Sequence, residues 1–188
     1  MRIVAGRHRG RRLAAPPGRG VRPTADRVRE ALFDVLAHNA YGPGGEALPE
    51  GARVIDAFAG TGALGFEALS RGADHVTFLE NDTAAVRALH RNAASLGETD
   101  SVAILARDAT RPGPADEACA LAFLDPPYRS GLAAPALAGL ATMGWLVDGA
   151  LAVVELATGE DFAPPQGFAA IDERRYGDTR ILFLRRSP

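Results

Sequence analysis

The chain contains no lysine, so all 21 of its basic residues apart from histidine are arginines. That favours flat, bidentate donors suited to phosphate and to stacking on bases over the point charge of an ammonium. It has one cysteine, Cys119, which lies inside an apolar run and excludes a disulfide framework; burial is its expected role. No run of 18 apolar residues occurs, and the arginine-rich start lacks the apolar segment of a signal peptide. A membrane partner is therefore not expected, and a cytoplasmic location is. His8, His38, His75 and His90 are scattered without metal-ligand spacing, so no metal site is predicted. There is no internal repeat.

What is present is a polarity of charge. Residues 1–30 hold nine arginines against Asp26 and Glu30, a net of +7, while the remainder holds 12 against 21 acids, a net of −9. An acidic body with a cationic arm suits a polyanion gripped at one end. A solvated tail would carry the same charge, but Ile3, Val4 and Leu13 punctuate the arginines, and Gly6 and Gly10 can shape a hairpin. Arg2, Arg7, Arg9, Arg11 and Arg12 on the arm, with Arg22, Arg27 and Arg29 at the start of the first helix, are the candidate contacts to that polyanion.

The pattern predicts an arginine-rich hairpin over 1–20 ending in Pro16-Pro17-Gly18. A helix from a Thr24 cap to about His38 follows, with Val28, Leu32, Val35 and Leu36 on one face. A Gly/Pro-rich connector over 41–50 leads to alternating strands near 53–57, 75–80, 102–107, 118–125 and 150–156, and helices near 63–71, 83–96 and 132–142. That alternation predicts an α/β fold, a parallel sheet wound on both faces. An antiparallel hairpin, 169–176 and 180–185 about Gly177-Asp178, closes the chain. Trp145 is expected to pack at the sheet edge. Residues 1–40 are read as a nucleic-acid-binding extension and 41–188 as the catalytic domain.

Two motifs carry chemistry. Strand 53–58 runs into Gly60-Thr61-Gly62-Ala63-Leu64-Gly65, a G-x-G-x-x-G turn between strand and helix that brings backbone N–H groups to a ligand. Glu80, at the end of the next strand, can take both ribose hydroxyls of an adenosine cofactor. Asp56, four positions before the first glycine, would repel a pyrophosphate but favours the ammonium and sulfonium of S-adenosylmethionine. Asp108, after the third strand, is placed to accept the adenine amino group; Phe58, Thr61, Asn81, Ala109 and Asp125 complete the expected cofactor site.

The second motif is Asp125-Pro126-Pro127-Tyr128, at the end of the apolar run 118–124. The prolines fix two φ angles and remove two N–H donors, leaving acceptors around a rigid notch beside an aromatic face. A planar amine fits it, with hydrogens to the Asp125 carboxylate and the Pro126 carbonyl and its ring against Tyr128.

Together, the Asp56-x-Phe58-x-Gly60-x-Gly62 turn, Glu80, Asp108 and the Asp-Pro-Pro-Tyr notch resemble a class I methyltransferase acting on exocyclic amino nitrogens. Met1-Arg-Ile-Val-Ala-Gly6, Arg9-Gly-Arg11, the stretch Arg22 to Phe33, Phe58 to Gly72 and Tyr176-Gly-Asp-Thr179 are similar to the bacterial family that makes N2-methylguanine in 16S ribosomal RNA. The resemblance covers nearly the whole chain, with Ala25 in place of a second threonine and arginines in place of many lysines. It implies a Rossmann-like, mostly parallel sheet with an antiparallel C-terminal strand, S-adenosylmethionine as donor, and 16S rRNA in an assembled or assembling small subunit as partner.

Other functions fit less well. A DNA adenine methyltransferase shares the notch but needs a target-reading domain that no span here is long enough to supply. A protein glutamine methyltransferase carries Asn in place of Asp125, and a nicotinamide dehydrogenase is disfavoured by Asp56. A non-catalytic RNA-binding protein on the same fold would lose one of the acidic strand ends, and none is missing. The residues alone do not separate N2-guanine from N6-adenine, nor give Tyr176 and Asp178 a role.

Overall fold

The structure, a computed structural model, describes residues 1–15 and 23–187 and, for residues 23–25, the backbone alone. The expected Pro16-Pro17-Gly18 turn, Arg22 and the Thr24 side-chain cap lie outside the described residues.

Alternating apolar residues in the central strands build a two-sided sheet. On strands β1 (Arg53–Ala57), β2 (His75–Leu79) and β4 (Cys119–Leu124), Val54, Phe78, Leu121 and Phe123 point into one core layer, while Ile55, Leu79, Ala122 and Leu124 point into the other. Runs buried on both faces are the signature of parallel strands covered by helices. With β3 (Val102–Leu105), β5 (Leu146–Ala157), β6 (Phe168–Tyr176) and β7 (Thr179–Arg186) they form seven strands in the order β3-β2-β1-β4-β5-β7-β6. Strands β1 to β5 are parallel, and β7 runs antiparallel to both of its neighbours, β5 and β6. The architecture is that of class I methyltransferases, as expected.

One layer is covered by α1 (Pro23–His38), α2 (Ala63–Ser70) and α3 (Thr83–Leu96), the other by α4 (Ala133–Thr142). Helix α2 lies close on the sheet because position 65 is glycine: a Cβ there would come within 2.3 Å of the Phe78 ring. Helix α3 starts at an Asp82 cap accepting from Ala85 N at 2.8 Å. It stops at Gly97 (φ 75°), where Glu98 N reaches Ala93 O.

Strand β5 begins four residues earlier than expected, at Leu146 rather than 150. Gly149 (φ 77°) lies at a register irregularity between β4 and β5, and pairing resumes before it at Cys119 with Leu146. Strand β3 stops at Leu105, two residues short of expectation, as Arg107 N turns back to Leu105 O. Cys119 is buried, and Trp145 is buried rather than at an edge, its Nε1 donating to Gly113 O at 2.8 Å.

The arm folds back as an antiparallel bridge between Arg2 and Arg12. It is seated on the body, with Ile3 and Leu13 buried in the same layer as Val28, Leu32, Phe33 and Leu36 of α1. Among the described residues, no helix is long and apolar enough to cross a membrane.

Candidate active site and nucleic-acid interface

The parallel register brings several predicted residues to one edge. Ala57 lies beside Leu79 and Leu124, and Leu124 beside Val154. The next residues along, Phe58, Glu80, Asp125 and Glu155, therefore gather just past the carboxyl ends of the central strands, where such sheets bind ligands.

Two neighbouring cavities open there. The larger, about 880 Å³, is lined by Glu80, Asn81 and Asp125 to Tyr128, with Glu155 and the β6–β7 turn Tyr176 to Thr179 on its far side. The smaller, about 210 Å³, is lined by Asp56, Phe58 and Ala59 to Thr61, and by Met1 and Ala15 of the arm. Asp125, Phe58 and Met1 line both.

The glycine turn is drawn tight by its two acids. Asp56 Oδ2 accepts from Gly65 N at 2.9 Å, and Glu80 accepts from Gly60 N at 2.7 Å and, through its other oxygen, from Asp82 N at 2.8 Å. The chain turns through left-handed geometry at Phe58 (φ 64°), Gly60 (φ 56°) and Gly62 (φ 77°), and such strain in a non-glycine residue clusters at functional sites. Burial pushes the Asp56 carboxyl up to about 8; the Gly65 hydrogen bond pulls the other way, and neighbouring Glu80 adds to the rise. A buried acid held this way is poised for a cationic partner.

Tyr128 is held at its far end. Its hydroxyl donates to Glu155 Oε1 at 2.8 Å and lies 2.9 Å from Thr179 Oγ1, while its ring lines the large cavity. Burial pushes the phenol up to about 12, opposed by the Thr179 hydrogen bond and reinforced by the charges of Glu155 and Asp125. Glu155 and Thr179 escaped sequence reasoning. The available signal was a lone acid in the apolar run Leu151 to Ala157.

Other predicted residues lie elsewhere. Asp108 is exposed and caps its own loop, its Oδ1 accepting from Thr110 N and Oγ1 at 2.8 Å. Those hydrogen bonds hold its carboxyl below the usual range. Ala109 is buried in the second core layer, and neither residue lines either of these two cavities.

Arg29 is not a surface cation. It is 4% exposed, with Nη2 donating to Arg2 O and to Asp26 Oδ1, and Nε lying 3.5 Å from Glu67 Oε2. The residue was expected among the RNA contacts, but its helix turns it inward to a buried acid. Arg2, Arg7, Arg9, Arg11, Arg12 and Arg27 are exposed. Two of these also fasten the arm: Arg7 pairs with Glu98 at 2.8 Å, and Arg11 Nη2 donates to Ser95 O.

The arm is tied down by side chains whose roles only the fold reveals. Glu67, fully buried in α2, accepts from Val4 N at 2.8 Å and Ala5 N at 3.0 Å. Asn92 accepts from Ala14 N at 2.7 Å and donates to Thr61 O in the glycine turn at 3.0 Å. His8 Nε2 lies 2.5 Å from Glu98 Oε1. Burial opposes ionisation of Glu98, but hydrogen bonds from His8 and Ser101 and the charge of Arg7 outweigh it and hold the carboxyl low.

Residues 1–185 match the family model described as "Conserved hypothetical protein 95". The chain is 39% identical over 162 residues to ribosomal RNA small subunit methyltransferase D of Escherichia coli, covering 82% of this chain and 74% of the relative. Its identity to the protein of that name from Haemophilus influenzae is 34% over 181 residues, covering 94% and 89%. The solved structure of yhhF from Escherichia coli superposes with a TM-score of 0.83 at 34% identity, covering all of this chain and 98% of the other. Sequence and fold agree along nearly the whole length: the chain belongs to the bacterial family of small-subunit ribosomal RNA methyltransferases.

Proposed function

We propose that this protein transfers a methyl group from S-adenosylmethionine to the exocyclic N2 of a guanine in 16S ribosomal RNA of the small subunit. The observation that carries the reading is Asp125: it lines both cavities, so one carboxylate serves the donor side and the acceptor side together.

The residues fit the donor. Asp56, buried beside the glycine turn, suits its ammonium, and Glu80 keeps a lone pair on each oxygen for ribose hydroxyls after holding Gly60 and Asp82. Asn81 lines the same wall, and the adenine is assigned to the β3 end near Asp108 and Ala109, beyond the cavity rim. The donor supplies an electrophilic methyl on sulfur.

The remaining work belongs to the chain. Asp125 and the Pro126 carbonyl accept the two amino hydrogens and turn the nitrogen lone pair toward the small cavity. Tyr128 stacks on the base, a contact worth about 1–3 kcal/mol. Alignment of this kind lowers a barrier by about 7–11 kcal/mol. Asp125 also stabilises the positive charge as it develops on nitrogen while the carbon–sulfur bond breaks, and Asp125 or water takes the proton that the methylated nitrogen then loses.

The acceptor wall favours guanine. Asp125, Glu155 and Asp178 put carboxylates along the large cavity, which Pro126 also lines. Guanine offers adjacent N1–H and N2–H donors to them, whereas adenine would set its N1 lone pair against a carboxylate.

Small subunits from a deletion strain, incubated with labelled donor and digested to nucleosides, should yield labelled N2-methylguanosine. Asp125→Ala should lower kcat at least a thousandfold with a far smaller loss of S-adenosylhomocysteine affinity. Retained turnover would remove Asp125 from the reaction, and labelled N6-methyladenosine would overturn the guanine assignment.

A further inference from the structure

Helix α3 stands apart from the body that carries it. The body beyond residue 30 has an excess of acids, yet Thr83–Leu96 contains none and carries Arg87, His90 and Arg91. The helix buries Ala85, Ala88, Leu89, Asn92, Ala93 and Leu96 against the sheet, which turns those three cations to solvent. Arg87 and Arg91 form no ion pair among the described residues. Positions 87, 91 and 95 follow one another at four-residue intervals, about 6 Å apart along the helix axis.

The arm meets this stripe at its far end. The Arg11 guanidinium donates to Ser95 O, Arg7 and His8 close on Glu98, and Asn92 binds Ala14. The cations of the arm and those of α3 thus form one continuous surface rather than two. A charged helix face is ordinarily just a solvated one, and two exposed arginines alone would carry no more than that. Here the acid-free helix lies inside an acidic body, and its stripe runs into arginines already seated on it.

From this we propose that the outer face of α3 is a second part of the RNA-binding surface, with Arg87 and Arg91 continuing the phosphate contacts of the arm. The inference rests on RNA being the substrate. Its partner is a phosphodiester backbone, which guanidinium groups bind through paired N–H donors. These contacts hold the RNA without reading its bases, so they add grip and orientation rather than choice of nucleotide.

The test is titration of the full chain with a 16S ribosomal RNA transcript between about 50 and 200 mM salt. At roughly 0.7 per single-strand phosphate contact, Arg87→Gln with Arg91→Gln should make the log–log salt slope shallower by about 1.4 and weaken binding at low salt. S-adenosylhomocysteine affinity and the unfolding temperature should stay unchanged, because neither side chain meets the donor pocket or the core. Arg9→Gln with Arg12→Gln serves as the comparison. If the arm variant loses slope and the α3 variant does not, the α3 surface is overturned while RNA remains the substrate. If neither variant moves the slope, the RNA reading fails with it.

Discussion

At the scale of single residues, the far end of Tyr128 explains why the notch ends in tyrosine rather than phenylalanine. Its phenol stays protonated across the working range, so the hydroxyl remains a donor to Glu155. A hydrogen bond to a charged acceptor is worth about 1.5–3 kcal/mol, so Tyr128→Phe should lower kcat/KM at least tenfold without altering donor affinity. Glu155→Ala should do the same and Glu155→Gln much less, since the amide oxygen still accepts. The double variant Tyr128→Phe with Glu155→Ala should be no worse than either alone. Additive losses would show that Glu155 acts elsewhere.

Asp56 makes a prediction about pH. Its folded carboxyl ionises near 8 against 3.8 for the ordinary group, so between those values the unfolded chain releases a proton that the folded one keeps. Stability therefore falls as pH rises across that window. Donor binding runs the opposite way, because an ammonium needs the ionised form. Calorimetric affinity for S-adenosylhomocysteine should rise with pH toward about 8 and then level, and Asp56→Asn should bind weakly with that dependence gone. A wild-type affinity falling over the same range would take Asp56 away from the ammonium.

At the scale of elements, position 65 decides how close α2 approaches the sheet. Gly65→Ala would drive a methyl into Phe78 and Val76, and overpacking of this kind costs about 1–3 kcal/mol. Because Asp56 holds the Gly65 N–H, the same shift should loosen the glycine turn. Chemical denaturation and donor titration should therefore both worsen; an unaffected midpoint would mean the helix yields without strain.

The elements that could be read in advance were those with a local signature. Glu80 and Asp125, where an apolar run meets an acid, lie just past β2 and β4, and α3 spans 83–96 as expected, whereas Asp56 sits inside β1 rather than beyond its end. Residues 146–149 of β5 precede the apolar run that predicts the strand, and only the pairing of Leu146 with Cys119 of β4 shows that they belong to it. Arg29 was assigned by charge, which carries no information about Glu67 waiting 38 positions away. Glu155 and Asn92 act through partners distant in sequence, so no window of neighbouring residues exposes them.

At the scale of the whole molecule, one core joins the cationic arm to the acidic body. Phe33 of α1 packs on Phe123 of β4 with ring centroids 5.5 Å apart, and the Arg71 guanidinium lies 5.0 Å from the Phe33 ring centre. Ile3 and Leu13 enter the same layer. The surface assigned to RNA and the pocket assigned to the donor are consequently parts of one packed unit, linked directly by Asn92 between Ala14 and the glycine turn.

Glu67 has a consequence for how the partner is met. Lifting residues 4 and 5 away would take two backbone hydrogen bonds from this fully buried side chain and leave it to Arg71 and Arg29, a loss of about 1.5–3 kcal/mol per bond to a charged group. The first fifteen residues are thus a moulded rim rather than a lasso. An RNA gripped by the arm as proposed would have to conform to a shape that already exists before the encounter.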